Sequence, residues 1–163
     1  MLRLVVTDTG PINYLILIEH IDLLPALFAR VILPFAVQRE LTARRSPSAV
    51  RNWAANPPAW VGLRATPGGI DADPLLKEIG AGEKAAIALA STVNADLLLM
   101  DDRKGVKAAR RKGLRVTGTL GILELAAQSG LVDFAQAADR LRRTNFRVPE
   151  VLIEALLERH RKK

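Results

Sequence analysis

The chain of 163 residues contains no cysteine. A disulfide scaffold, a thiolate zinc site and a cysteine nucleophile are therefore excluded, and a reducing compartment fits. Aromatic side chains make up only 4%, too few for a row of stacking platforms under single-stranded bases. No apolar run approaches the roughly 18 residues of a membrane span. An acid, Asp8, arrives before any apolar stretch of signal-peptide length. Internal repeats, low-complexity tracts and long linkers are lacking as well. So is a Gly-rich phosphate loop: Gly10-Pro11, after the first apolar run, is neither a P-loop nor a dinucleotide fingerprint, which counts against a nucleotide-binding protein. What these absences leave is a soluble, cytoplasmic protein, one domain with a sizeable core and a helical tail.

What is present is ordinary in hydrophobic content, 49%, and in charged content, 25%, so intrinsic disorder is out. The charge is not balanced. Lys and Arg number 24 against 17 Asp and Glu, a net +7, which points to a polyanionic partner such as nucleic acid.

Short apolar runs alternate with helical stretches, the βαβ signature of a central, mostly parallel sheet. Leu2–Val6, Val31–Leu33, Trp60–Leu63, Leu97–Met100 and Arg115–Thr117 read as strands. Helices are expected from Pro11 to about Glu19, Asp22 to Phe28, Pro34 to Ala43, Ser46 to Trp53, Glu83 to Val93 and Arg103 to Lys112. Three more follow, Leu120–Ser129, Asp133–Thr144 and Pro149–His160, and Thr66–Asp73, rich in Gly, Pro and Asp, reads as a loop. The expected fold is one α/β domain with a helical C-terminal tail. Residues 1–130 form its body, and 131–163 a helical extension packed on the same domain.

Several acids sit where a carboxylate is awkward. Asp8 follows Leu4-Val5-Val6, and Asp101-Asp102 follow Leu97–Met100. Both places are carboxyl ends of expected parallel strands, the edge where open α/β sheets bind ligands. Glu40 lies on the helix after the second strand and Glu83 in the first turn of the helix before the fourth. Any one of them has a plain structural explanation, as a helix cap or as an acid favoured at a helix N-terminus. Four or five converging on one sheet edge repel one another unless a cation sits among them. All-oxygen ligation suits Mg²⁺ or Mn²⁺, and such clusters run metal-assisted phosphodiester hydrolysis.

Four segments in this order resemble the PIN-domain family: Val6–Ile12, Pro34–Leu41, Gly80–Ala90 and Leu98–Arg103. Gly118-Thr119-Leu120-Gly121-Ile122-Leu123, after the last strand, is similar to a prokaryotic branch of PIN-like proteins related to the VapC-type toxins of type II toxin–antitoxin pairs. The resemblance implies a three-layer α/β/α fold around a central, mostly parallel sheet, a Mg²⁺- or Mn²⁺-dependent endoribonuclease, an RNA substrate, a cognate antitoxin and a homodimer. The alternative is a PIN-like module without activity that binds RNA or protein. Carried over by position, Asp8, Glu40, Glu83 and Asp102 are the catalytic acids, and Asp8, Glu83, Asp101 and Asp102 the metal ligands. Glu83 stands where many members carry Asp. Gly10 stands where they carry Ser or Asn, leaving Thr9 or Thr117 to supply a hydroxyl.

Between Arg103 and Arg115, the residues Arg103, Lys104, Lys107, Arg110 and Arg111 read as a phosphate-contacting rim beside Asp102, with Lys112 and Arg115 continuing the run. Arg44, Arg45 and Arg51 form a second basic cluster. His20 and His160 are isolated and read as ordinary surface or packing residues, and Trp53 and Trp60 as packing residues. The tail from Arg159 to Lys163 reads as a solvated end.

Overall fold

A computed structural model describes residues 2–161. Its elements run β1 (Leu2–Thr7), α1 (Thr9–Leu17), α2 (Leu23–Leu27), β2 (Phe28–Pro34), α3 (Phe35–Leu41), α4 (Ser48–Ala55), β3 (Val61–Arg64), α5 (Ala81–Val93), β4 (Leu97–Leu99), α6 (Arg103–Arg111), β5 (Val116–Thr117), α7 (Thr119–Gln128), α8 (Phe134–Arg142) and α9 (Glu150–Arg161).

The strands pair in the order β3-β2-β1-β4-β5, and every pairing is parallel. Val6 stands beside Ile32 on one side and Leu98 on the other. The chain builds β2 and β3 outward from β1, returns through α5, and places β4 and β5 on the opposite side of β1. The order therefore reverses between β1 and β4, and the crevice beyond their carboxyl ends is where an open parallel sheet accepts a ligand.

The period of two in a strand produces the layers. Val5, Val31, Leu33, Leu97 and Leu99 enter one buried cluster with α1, α2, α3, α4, α7, α8 and α9. Val6, Ile32 and Leu98 enter another with α5 and α6. The alanines of α5, Ala85, Ala86, Ala88 and Ala90, are all buried, so this helix lies close on the sheet. In the last two helices Leu141, Ile153 and Leu156 are buried in the larger cluster, each contributing about 1.5–3 kcal/mol of apolar burial. Helix α6 stops at Gly113, whose φ of 82° is the left-handed conformation that a Cβ disfavours.

The structure shifts several expected boundaries. Strand β2 begins at Phe28 rather than Val31, because Phe28 pairs with Leu2, and α2 is correspondingly short. Helix α4 begins at Ser48, with Pro47 in extended conformation before it. The expected loop of residues 66–73 holds a 3₁₀ turn at Ile70–Ala72 and leads into a second at Pro74–Leu76. The Asp73 side chain accepts the Leu75 N–H at 2.9 Å and pairs with Lys112. Trp53 and Trp60 pack on the core with ring centroids 5.9 Å apart. No described helix is long and apolar enough to cross a membrane. Lys162 and Lys163 of the expected solvated tail lie outside the described residues.

Candidate active site

Asp8 ends β1. Its N–H donates to the Leu99 carbonyl at 2.9 Å, tying the carboxyl ends of β1 and β4 together. It occupies the N-cap position of α1, yet its side chain caps nothing. The residue is 4% exposed, and Oδ1 has no hydrogen-bond partner. Burial pushes its carboxyl up to about 8; the Thr9 N–H opposes this, and the charges of Glu83, Glu40 and Asp101 add to the rise.

Three of those acids belong to other elements. Glu40, near the end of α3, accepts the Thr9 hydroxyl on Oε2 at 2.8 Å and the Gly82 N–H on Oε1 at 3.0 Å. A Cβ at Gly82 would stand 2.5 Å from Glu40 Oε2, so a side chain there would push the Glu40 carboxylate aside. Glu83 follows and is half-buried; burial first, then the charges of Asp102 and Glu40, raise its carboxyl above the usual range, against its own N–H.

Asp101, beyond β4, accepts the Thr119 N–H on Oδ1 and the Thr119 hydroxyl on Oδ2, both at 2.7 Å. Burial raises its carboxyl, and these two bonds hold the rise down. Asp102 behaves differently. It is exposed, and its Oδ2 accepts the Gly105 N–H at 2.8 Å as the N-cap of α6.

The arrangement separates the two adjacent acids. The charges felt at Asp8 are those of Glu83, Glu40 and Asp101, whereas Asp102 is felt at Glu83. Asp8, Glu40, Glu83 and Asp101 thus form the inner group and Asp102 its rim. Among the described residues no three of them stand together as a ready-made ion cage; Glu40, Asp101 and Asp102 are each turned onto protein donors.

Of the hydroxyls, Thr9 serves Glu40 rather than Asp8, and Thr117 lies against Gly121. The hydroxyl at Asp101 is that of Thr119, a residue with no exposed surface. The sequence signal for it is Gly118-Thr119 directly after the last strand. Gly10 also has a steric reason: a Cβ there would come 2.9 Å from Asp101 Oδ2.

Beside the acids runs the basic helix. Arg103, Lys107, Arg110 and Arg111 line an open cleft of about 540 Å³ together with Asp101. Lys104, Lys107 and Arg111 also border a second cleft of about 370 Å³. All five are exposed. The other basic cluster is less free, since Arg51 Nη1 donates to the carbonyls of Arg44 at 2.7 Å and Ser46 at 3.1 Å. His20 and His160 lie elsewhere; the His160 ring stacks on Phe134 with centroids 4.3 Å apart.

An inner group of four acids at the sheet's switch point, flanked by a basic groove, is now in place. A family model for the PIN domain matches residues 4–162. The chain belongs to the PIN-domain family. No curated protein matches it significantly. The PIN domain is a nuclease-type fold, and its members are in general metal-dependent nucleases. The match runs through α8 and α9, so both helices fall within the matched region. The donor set fits a hard divalent cation: it is all carboxylate oxygen, and one of those oxygens, Asp8 Oδ1, is buried without a donor.

Proposed function

We propose that this PIN-domain protein is a Mg²⁺- or Mn²⁺-dependent endoribonuclease and the toxin of a type II toxin–antitoxin pair, acting in the cytoplasm. One observation carries the catalytic reading. Asp8 Oδ1 is buried without a partner, in a carboxyl that burial, and then three neighbouring acids, push up to about 8. Such a group is costly to keep in a fold unless a cation compensates it, and perturbed carboxyls cluster at functional sites.

The proposed ligands are Asp8, Glu83 and Asp101, with Asp102 at the rim. A bound divalent ion supplies charge neutralisation at the scissile phosphate and polarises its P–O bonds. The chain's own residues do the rest. Asp8 would hold the ion through its ionised carboxylate. Thr119 holds Asp101 in one orientation through both oxygens. Glu40, engaged by Thr9 and Gly82, fixes α3 against the start of α5 and adds negative charge at Asp8. Arg103, Lys104, Lys107, Arg110 and Arg111 hold the substrate's phosphates, which the acids alone would repel. A cognate antitoxin and a second copy of the chain are the proposed protein partners.

A second reading is a module that binds RNA or protein without cleaving. What favours it is that Glu40, Asp101 and Asp102 already have protein donors. Incubating the protein with mixed single-stranded RNA and DNA pools, with Mg²⁺ or Mn²⁺ and with EDTA, separates the two. Cleavage of RNA that needs the metal and spares DNA is expected. RNA bound and left intact under every condition would establish the binding module.

A further inference from the structure

The segment between α8 and α9 is anchored on α1 beside the acids. The Tyr14 hydroxyl donates to Asn145 Oδ1 at 3.0 Å. The Tyr14 ring meets Phe146 edge to face, with centroids 4.8 Å apart and planes at 78°. The next residue, Arg147, is exposed. Together with Asp102, Arg103, Val148 and Pro149 it lines a cleft of about 600 Å³. Arg103 lines the cleft along α6 as well, where Asp101 is exposed to it. The two clefts therefore share Arg103, and one of the adjacent acids Asp101 and Asp102 lines each. Burial first raises the Tyr14 hydroxyl; the charge of Asp101 adds to the rise and that of Arg147 opposes it.

We infer that Arg147 is a substrate-binding residue: with Arg103 it clamps a backbone phosphate of single-stranded RNA as the strand passes from the groove of α6 over the 144–149 segment. This rests on the ribonuclease reading above. The chemistry is that of a phosphate rather than of a base or a carboxylate ligand. Two guanidinium groups line the cleft, its only acid is Asp102, and one oxygen of Asp102 is engaged by Gly105. Planar forks of N–H donors match phosphate oxygens. A polynucleotide is favoured over a lone phosphate because two clefts with basic linings share Arg103 and border the adjacent acids Asp101 and Asp102, as a strand crossing the site requires. Tyr14 is a positioning residue. Its bond to Asn145 and its contact with Phe146 set where Arg147 stands.

The test uses the full chain and a fluorescent, mixed-sequence single-stranded oligoribonucleotide pool. KM and kcat for metal-dependent cleavage, and the slope of log affinity against log salt, are measured for wild type, Arg147→Ala, Arg147→Lys, Tyr14→Phe and Arg30→Ala. Arg30 is exposed in the first half of β2, away from the carboxyl edge, and controls for the loss of one positive charge. Arg147→Ala should raise KM roughly three- to tenfold, leave kcat within about twofold and reduce the salt slope by about 0.7. Arg147→Lys should recover most of the slope, and Tyr14→Phe should raise KM by a smaller factor. Arg147→Ala with wild-type KM and slope, or Arg30→Ala with the same change, would overturn the clamp. If wild type binds the pool and cleaves none of it, the ribonuclease reading fails instead, and the salt slopes of binding still decide the place of Arg147.

Discussion

Thr119 holds both carboxylate oxygens of Asp101, its N–H on Oδ1 and its hydroxyl on Oδ2, each at 2.7 Å. The bonds favour the charged carboxylate in a place where burial disfavours it. Thr119→Val keeps the shape and the N–H but removes the hydroxyl. It should lower stability at neutral pH by about 1–2 kcal/mol, raise the Asp101 carboxyl further and weaken Mn²⁺ binding. Thr119→Ser should restore most of each. Urea midpoints and calorimetric titration with Mn²⁺ check this, and a Thr119→Val protein with wild-type metal affinity would remove Thr119 from the site.

The dependence of stability on pH has a definite sign. Asp8 holds its proton to about 8 when folded, against an ordinary 3.8. The folded state therefore binds more protons than the unfolded one between those values. Its contribution to stability is fully present below about pH 4 and is lost as pH rises through about 8, at up to ~1.4 kcal/mol per pH unit. Glu83 and Asp101 are raised as well and act in the same direction. In EDTA, Asp8→Asn should flatten this fall and leave the protein more stable than wild type near pH 8. With Mg²⁺ or Mn²⁺ the trend should reverse, since the ion needs the ionised carboxylate and its affinity should climb until pH passes about 8. Denaturant midpoints across that range, with and without metal, measure both limbs.

Gly10 leaves no room for a side chain on its Asp101 side, where a Cβ would stand 2.9 Å from Oδ2. Gly10→Ala should turn the Asp101 carboxylate off Thr119, at the flexible end of a side chain. The expected result is weaker Mn²⁺ binding and slower cleavage, with stability changed by about 1 kcal/mol or less. Unchanged metal affinity would show that Asp101 tolerates the displacement and is no ligand.

The largely parallel sheet and the acids at its carboxyl edge were legible because apolar runs of strand length end abruptly in Thr7-Asp8 and Met100-Asp101. Periodicity and composition carry that much. Which of two adjacent acids turns inward was not legible, since alternation along the chain does not extend past Leu99, where β4 ends. Asp101 is drawn in by Thr119, 18 residues away, and Asp102 is drawn out to cap α6. The start of β2 at Phe28 was hidden for a similar reason, because it depends on pairing with Leu2 in another strand. The role of Arg147 depends on a Tyr14–Asn145 bond spanning 131 positions, a distance over which local pattern carries no information.

On the basic helix, Arg110 and Arg111 are exposed and border the cleft that Asp101 enters. Replacing both with Ala should reduce the slope of log RNA affinity against log salt by about 1.4, two single-strand phosphate contacts at ~0.7 each. A slope equal to wild type would return both to the solvated surface.

The most direct measurement is single-turnover cleavage of a labelled RNA pool by wild type and Asp8→Asn, each with saturating Mn²⁺ and each shown folded by its unfolding transition. Asn fills the same space and the Asp8 side chain makes no cap to lose, but the change removes the buried charge that an ion requires. The proposed function predicts a folded Asp8→Asn protein whose cleavage falls by at least about 100-fold. A folded Asp8→Asn protein that cleaves at the wild-type rate would contradict it.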